Sequence, residues 1–395
     1  MSDTQQNPIH TAPVLFDTLP TDSGHFIGMI QLNVEKTLNA LSLQMIDLMA
    51  SQLAAWQNDD TIAMLFMHAS GEKAFCAGGD LQQLYQSMRN HHISDQRDDI
   101  TANQYACDFF EREYRLDYLI HTYPKPILCW GHGIIMGGGM GLMAGASHRI
   151  VTEKTRLAMP EIAIGLFPDV GGSYFLNQMP EGVGLFLALT GTMINASDAR
   201  FINLADYVVA QGDKVQVLKT LQQQAWTSLS TKNGYLLDLI LSDAQLKFAE
   251  SSEAVQAGPI ETELSTIQDL CNQDSIEQTI EAIINHSSDD KWFAKASASL
   301  AKGSPSSAYL ADLLLHRAKN MKLADVFRME YNAALHCAAR PDFAEGIRAL
   351  LIDKDLKPNW QPATHAEVSA EWVESFIDNP WPAGAHPLTD LGHGD

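Results

Sequence analysis

Cysteine is scarce in this chain, and so is positive charge. The 395 residues include five cysteines, Cys76, Cys107, Cys129, Cys271 and Cys337, scattered and without a CxxC pair. An odd, unclustered set excludes a disulfide framework and reads as reduced, mostly buried thiols, so a cytoplasmic protein is expected. Fourteen histidines fall into no HExxH or related spacing, and no metal site is expected. Lysine and arginine total 26 against 48 acids, a net charge of −22. So acidic a chain is a poor partner for nucleic acid, and an anionic ligand would need local dipoles and a few placed lysines. No apolar run approaches the length of a membrane span, so no membrane partner is expected. The opening MSDTQQNPIHTAPVLF has neither a basic n-region nor an apolar h-region, which argues against a secretory signal. A GxSxG elbow and a Walker A loop are both missing, which excludes an α/β-hydrolase triad and a P-loop.

What is present is a large globular chain, 46% hydrophobic, with ample length for a core. FIGMIQLNV alternates imperfectly and predicts a strand. Ser42 then caps a helix carrying Met45, Leu48, Met49, Leu53 and Trp56 at helical spacing. IAMLFMHA is a continuous apolar run of strand length. KPILCWGHGIIM is a second, broken by Gly131 and Gly133, and HRIVTE and RLAMP predict two short strands. Strands and helices alternate to about residue 205, the pattern of an α/β fold. From about 211 the pattern turns helical, as in GYLLDLILSDAQLKFAESSEAVQAG and SIEQTIEAIINH. A break at Gly303–Pro305 precedes two more amphipathic stretches. The expected division is a flexible tail over 1–13, a core over 14–210, a helical region over 211–365 and a C-terminal tail over 366–395.

Three stretches carry chemistry. In KAFCAGGDLQQL, Gly78 and Gly79 lead into Asp80, a good helix N-cap. The glycines would let backbone N–H groups approach a ligand, although an ordinary capped turn explains them as well. In GHGIIMGGGMGLMAGASHR, the run Gly137–Gly139 follows a strand and opens a small-residue helix. GMGLMA fits the dinucleotide pattern G-x-G-x-x-A, with Glu161 about 20 residues on. The interrupted strand and Pro160 before Glu161 speak against that reading, and tight helix packing is the plainer alternative. In MPEIAIGLFPDVGGSYF, Glu161 and Asp169 sit among apolar residues. Gly165 and Pro168 oppose an unbroken helix and Gly171–Gly172 permit a sharp turn, so the segment can fold back and aim both acids into one cavity. Two carboxyls in one apolar pocket push their proton affinities apart, leaving one as base or nucleophile and the other as proton carrier. The alternative is that each caps a helix start.

Taken together, LNVEKTLNALSLQMI, KAFCAGGD, MGGGMG, MPEIAIGLFPDVGG and LALTGTMINASDA resemble, in order and spacing, the enoyl-CoA hydratase/isomerase (crotonase) superfamily over about residues 14–205. FPDVGG, EREY and RMEYNAALHCAARPDFAEGIRALLIDKDLKPNW resemble a subgroup that hydrolyses a 3-hydroxyacyl-CoA thioester in valine breakdown. That extends the resemblance to about 365, with only a loose match between 211 and 290.

The resemblance implies an α/β fold, a crotonase-like spiral of strand-strand-helix (ββα) repeats with a helical C-terminal region covering the active site. It implies an oxyanion hole from the Gly79 and Gly138 N–H groups, each worth about 3 kcal/mol in a dry site. Hydratases of the family carry one acid in the helix after the glycine run, and here that position is Gly141. The hydrolase subgroup instead uses acids matching Glu161 and Asp169, with Glu113 expected at the substrate 3-hydroxyl. Lys36 and Lys73 are candidate partners for the phosphates of coenzyme A and the Cys76–Ala77 backbone for its adenine; solvated surface charge is the plainer reading of each lysine. No cofactor is implied beyond the coenzyme A of the substrate. The family is compatible with a homo-oligomer. The rival readings are enoyl-CoA hydration or isomerisation, and a non-catalytic crotonase-like subunit.

Overall fold

The computed structural model describes residues 12–251 and 255–393. All but the last two residues of the expected N-terminal tail therefore lie outside the described part. A strand hairpin opens the described chain: β1 (Val14–Pro20) pairs antiparallel with β2 (Phe26–Leu32). α1 (Leu43–Gln57) follows, with the Ser42 hydroxyl accepting the Met45 N–H at 3.3 Å. Its Met45, Met49, Leu53 and Trp56 are buried along one face.

Three strand-strand turns come next. β3 (Ile62–Ala69) is followed by β4 (Ala74–Cys76), β5 (Ile127–Gly131) by β6 (Ile134–Met136), and β7 (His148–Val151) by β8 (Arg156–Ala158). The first strand of each turn adds in parallel to one sheet, β3-β5-β7, and the second adds in parallel to another, β4-β6-β8. Each turn therefore advances one strand in both sheets, which is a spiral of strand-strand-helix repeats. The six-stranded sheet has the order β1-β2-β3-β5-β7-β10, with β10 at Tyr207–Val208, and the four-stranded sheet the order β4-β6-β8-β9, with β9 at Ile194–Asn195. Gly131 and Gly133 interrupt the apolar run at the corner between β5 and β6, where the chain changes sheets. Between the turns lie α2 (Leu81–His92) and α3 (Gln104–His121), then α4 (Gly138–Ala144).

The unbroken apolar run in β3 has a packing cause. Leu65 and Met67 face the main core, while Met64 and Phe66 face a second cluster with Trp130, Leu237 and Leu241. A strand buried on both faces has no reason to alternate.

The helical region expected over 211–365 packs in three places, one of them the helix Val183–Thr190, against which Leu264–Cys271, Lys291–Lys302 and Pro305–Ala318 lie. Lys214–Gln222 and Ser230–Ala249 supply the second cluster and so cover the far face of the large sheet. Leu323–Ala339 and Pro341–Ile347 pack on α3 and α2, on the opposite side of the sheet. The two amphipathic stretches expected after Gly303 are Pro305–Ala318 and Leu323–Ala339.

The C-terminal segment, expected as a tail, is tied down over its described residues. Leu388 is buried, and the Arg328 guanidinium donates to the Leu388 carbonyl at 3.1 Å. Trp381 stacks on Tyr331 at 6.2 Å, and Arg340 sits over the rings of Trp372 and Phe376. Prolines there remove helical periodicity but not the apolar side chains that anchor the segment.

Candidate active site

The site begins with the side-chain period of α3. Phe110, Glu113, Tyr114, Asp117 and His121 fall at helical spacing on one face, and all but His121 are almost fully buried. That face meets α4, and the glycines of α4 are what admit it. A Cβ on Gly138 would collide with Glu113 Oε1. A Cβ on Gly141 would lie 2.7 and 2.8 Å from the Asp117 carboxyl oxygens, and one on Gly145 would lie 2.7 Å from the His121 ring. Close helix packing and room for polar side chains are thus one requirement.

Gly137 enters α4 with φ 47° and ψ −123°, a conformation that favours glycine. It also lets Glu161 approach, since a Cβ there would stand 3.2 Å from Glu161 Oε1.

The segment after β8 folds back as its glycines allow. Glu161–Ile164 forms one 3-10 turn, closed by Gly165 at φ 74°, with Leu166 N–H donating to the Glu161 carbonyl at 3.1 Å. A second turn follows at Asp169, where Gly172 N–H donates to the Asp169 carbonyl at 2.7 Å and Val170 and Gly171 both have positive φ. Neither acid is an N-cap: Pro160 and Gly171 occupy those positions. Asp169 Oδ2 instead accepts the Tyr114 hydroxyl at 2.9 Å.

Glu113, Glu161, Asp169, Gly79 and Gly138 all line one cavity of about 80 Å³. The Gly79 N–H belongs to a peptide group fixed by a bridge to Leu41: Leu41 N–H donates to the Gly78 carbonyl of that same group, and Asp80 N–H of the next donates to the Leu41 carbonyl. The Gly138 amide belongs to the first turn of α4, where helical N–H groups have no partner within the helix. A larger cavity of about 530 Å³ lies between Leu176–Leu185, Cys271–Thr279 and Asp312–Lys319. It holds none of the acids just described, so chemistry selects the smaller one.

No lysine or arginine lines the smaller cavity, and the electrostatics follow from that. Burial, then repulsion from Asp169, pushes the Glu113 carboxyl well above the usual carboxylate range. Burial, then Asp169, does the same to Glu161, whose Oε2 has no hydrogen-bond partner. Asp169 is raised to about 7 by burial, opposed by the Tyr114 hydrogen bond. Near neutral pH the cavity therefore holds fewer negative charges than carboxyls.

Three further buried groups bear on the site, and the sequence reading passed over each. Tyr114 orients Asp169. Glu330, 0% exposed on Leu323–Ala339, accepts the N–H groups of Gly171 at 2.8 Å and Ser173 at 2.9 Å, and so holds the turn that carries Asp169. Asp117, also 0% exposed, has no partner for either carboxyl oxygen. A signal existed for two of them. Asp117 shares the face of Phe110 and Tyr114, and Glu330 falls within the apolar stripe of Val326, Phe327 and Ala334.

The residues expected at coenzyme A are only partly brought together. Ala77 is on the cavity rim, and its N–H donates to the Leu38 carbonyl at 3.1 Å, tying it to the segment that carries Lys36. Lys36 and Lys73 are exposed and lie outside the cavity lining. Cys76 is fully buried, with its backbone against Gly139 and its thiol pointing to the Gly78 carbonyl. Among the described residues no cluster of His, Cys, Asp or Glu is arranged to hold a metal ion, and no helix is long and apolar enough to cross a membrane.

A family model described as enoyl-CoA hydratase/isomerase matches residues 27–377. A 3-hydroxyisobutyryl-CoA hydrolase, mitochondrial, from Danio rerio is 38% identical over 354 residues, covering 89% of this chain and 87% of its own. The human protein of the same name is 35% identical over 346 residues, covering 87% and 84%. Among solved structures, a carnitinyl-CoA dehydratase from Mycobacterium thermoresistibile superposes with a TM-score of 0.79 at 32% identity, covering 94% of this chain and 98% of its own. An enoyl-CoA hydratase from Rhodobacter sphaeroides 2.4.1 gives 0.77 at 29% identity, covering 93% and 98%. The relatives named as hydrolases are also named mitochondrial, which overturns the cytoplasmic expectation. The physical reason is that unpaired thiols report a reducing environment, and that alone does not single out the cytoplasm.

Proposed function

The chain belongs to the enoyl-CoA hydratase/isomerase family, and on that premise we propose that it hydrolyses 3-hydroxyisobutyryl-CoA to 3-hydroxyisobutyrate and coenzyme A, a step of valine breakdown. One observation carries the reading: Glu161 and Asp169 share a cavity with Glu113 and two glycine amides, while Gly141 offers no side chain to it.

The thioester carbonyl lies between the Gly79 and Gly138 N–H groups, which stabilise the oxyanion as it forms. Glu161 attacks the carbonyl carbon; the new C–O bond forms, the C–S bond breaks, and coenzyme A leaves as a thiolate. Water oriented by Asp169 then attacks the Glu161 carbon of the mixed anhydride, a proton passing to Asp169; the bond from that carbon to the bridging oxygen breaks, 3-hydroxyisobutyrate leaves, and Glu161 is regenerated with one oxygen from water. Glu113 receives the 3-hydroxyl. Glu161 must be ionised to attack, and burial with Asp169 opposes ionisation. The expected rate therefore rises with pH toward and above neutrality.

Thiol release from 3-hydroxyisobutyryl-CoA tests the activity, and absence of released thiol overturns it. Single-turnover hydrolysis in oxygen-18 water tests this step: label is expected in the Glu161 carboxyl and not in the product, and label in the product alone overturns water attack at Glu161.

A further inference from the structure

The cavity is graded in exposure. Ala77, Gly79, Met136, Gly137 and Pro160, which line it, are partly exposed. Leu84, Phe110, Leu166 and Phe343 are among its buried apolar lining residues. Phe343, at 0% exposure, is the one lining residue that comes from the helical region.

Phe343 is also fixed from several sides. The backbone of Asp342–Phe343 lies against Gly165, where a Cβ would stand 2.8 Å from the Phe343 nitrogen. The Asp342 carboxyl accepts the Ser304 hydroxyl at 2.7 Å and the Gln361 N–H at 2.8 Å. The preceding Arg340 is held over Trp372 and Phe376. An aromatic ring on so constrained a backbone has little freedom to retreat from a longer ligand.

We propose that Phe343 is the end-stop of the acyl pocket and restricts the enzyme to short 3-hydroxyacyl thioesters, of three or four acyl carbons. With the carbonyl between Gly79 and Gly138, the acyl chain faces the buried apolar lining and coenzyme A the partly exposed residues. The cavity of about 80 Å³ is far below the roughly 300–1,000 Å³ of pockets for drug-sized ligands, so the acyl end alone enters it. This inference rests on the hydrolase reading above and adds to it the size of the substrate.

The test is kcat/KM by thiol release for 3-hydroxypropionyl-, 3-hydroxyisobutyryl-, 3-hydroxyhexanoyl- and 3-hydroxyoctanoyl-CoA, with wild type, Phe343→Leu and Phe343→Ala. Wild type is expected to favour the two short substrates by about a hundredfold or more. Phe343→Ala should raise the long-to-short ratio by about tenfold or more, with Phe343→Leu between, the scale of one or two methylenes in an apolar pocket. Phe343→Leu keeps most of the packing and serves if the alanine variant fails to fold. A wild type indifferent to chain length, or an unchanged ratio in the folded variants, overturns the end-stop. If wild type releases thiol from none of the four, the hydrolase reading fails. The end-stop is then decided by displacement binding of coenzyme A thioethers of the same chain lengths, with the same ratios expected.

Discussion

The spiral and the helical region serve the cavity in different ways. Every carboxyl and both glycine amides that line it come from the spiral, Glu113 from the buried face of α3 and the others from sharp turns of the chain. The helical region contributes an aromatic ring, Phe343, and a carboxyl, Glu330, that holds the Asp169 turn from beneath. Polar groups placed by tight turns and by α3 are thus buried by apolar helices packed over them. This raises the proton affinity of each acid and makes each amide count for more. The difference teaches that reaction type and substrate size are set in separate parts of the chain, so substitutions in the two should fail differently.

The largest effects are expected in the spiral. Glu161→Gln and Asp169→Asn should each lower kcat by about a hundredfold or more, the scale of acid–base catalysis, measured by thiol release. The residual activity of Asp169→Asn should also have its acid limb at lower pH than wild type, because the Asp169 charge is, after burial, the main cause raising Glu161. An unmoved limb would detach Asp169 from Glu161. Gly138→Ala sets a Cβ into Glu113 Oε1 and should lower kcat by about a hundredfold through displacement of the oxyanion donor, with less change in KM.

Smaller losses are expected from beneath. Glu330→Gln keeps the shape but one oxygen can no longer accept, so the Asp169 turn loosens; kcat should fall by roughly tenfold. Asp117→Asn sharpens the comparison through stability. Burial, then Glu113, raises the Asp117 carboxyl well above its ordinary 3.8. The folded chain therefore holds a proton that the unfolded chain releases above about pH 4, so stability falls as pH rises from there toward the folded value. Removing the ionisable group should raise Tm at pH 8 by about 2 °C and by less at pH 5. A Tm gain equal at both pH values would contradict the buried acid as its cause.

Much of the spiral was legible because its signals are local. The continuous run of β3, the Ser42 cap and the glycines of FPDVGG each act within a few residues, and the fold-back that brings Glu161 and Asp169 to one cavity follows from Gly165 and Pro168. The helical region was legible as helices but not as contacts. Amphipathic spacing shows that Leu323–Ala339 buries a face; it does not show that Glu330 meets the Gly171 amide. Phe343 reaches the cavity because Gly165 admits its backbone, a pairing 178 residues apart in sequence. The coenzyme A lysines stayed unsettled for the opposite reason: an exposed charge has no packing partner to fix it.

The central claim is thioester hydrolysis in place of hydration, and a paired assay on wild type tests it most directly. Thiol release from 3-hydroxyisobutyryl-CoA is followed beside loss of the enoyl absorbance of crotonyl-CoA, at the same enzyme concentration. The account predicts coenzyme A release from the first and an unchanged enoyl signal in the second. Loss of the enoyl signal with no thiol released from 3-hydroxyisobutyryl-CoA would contradict it.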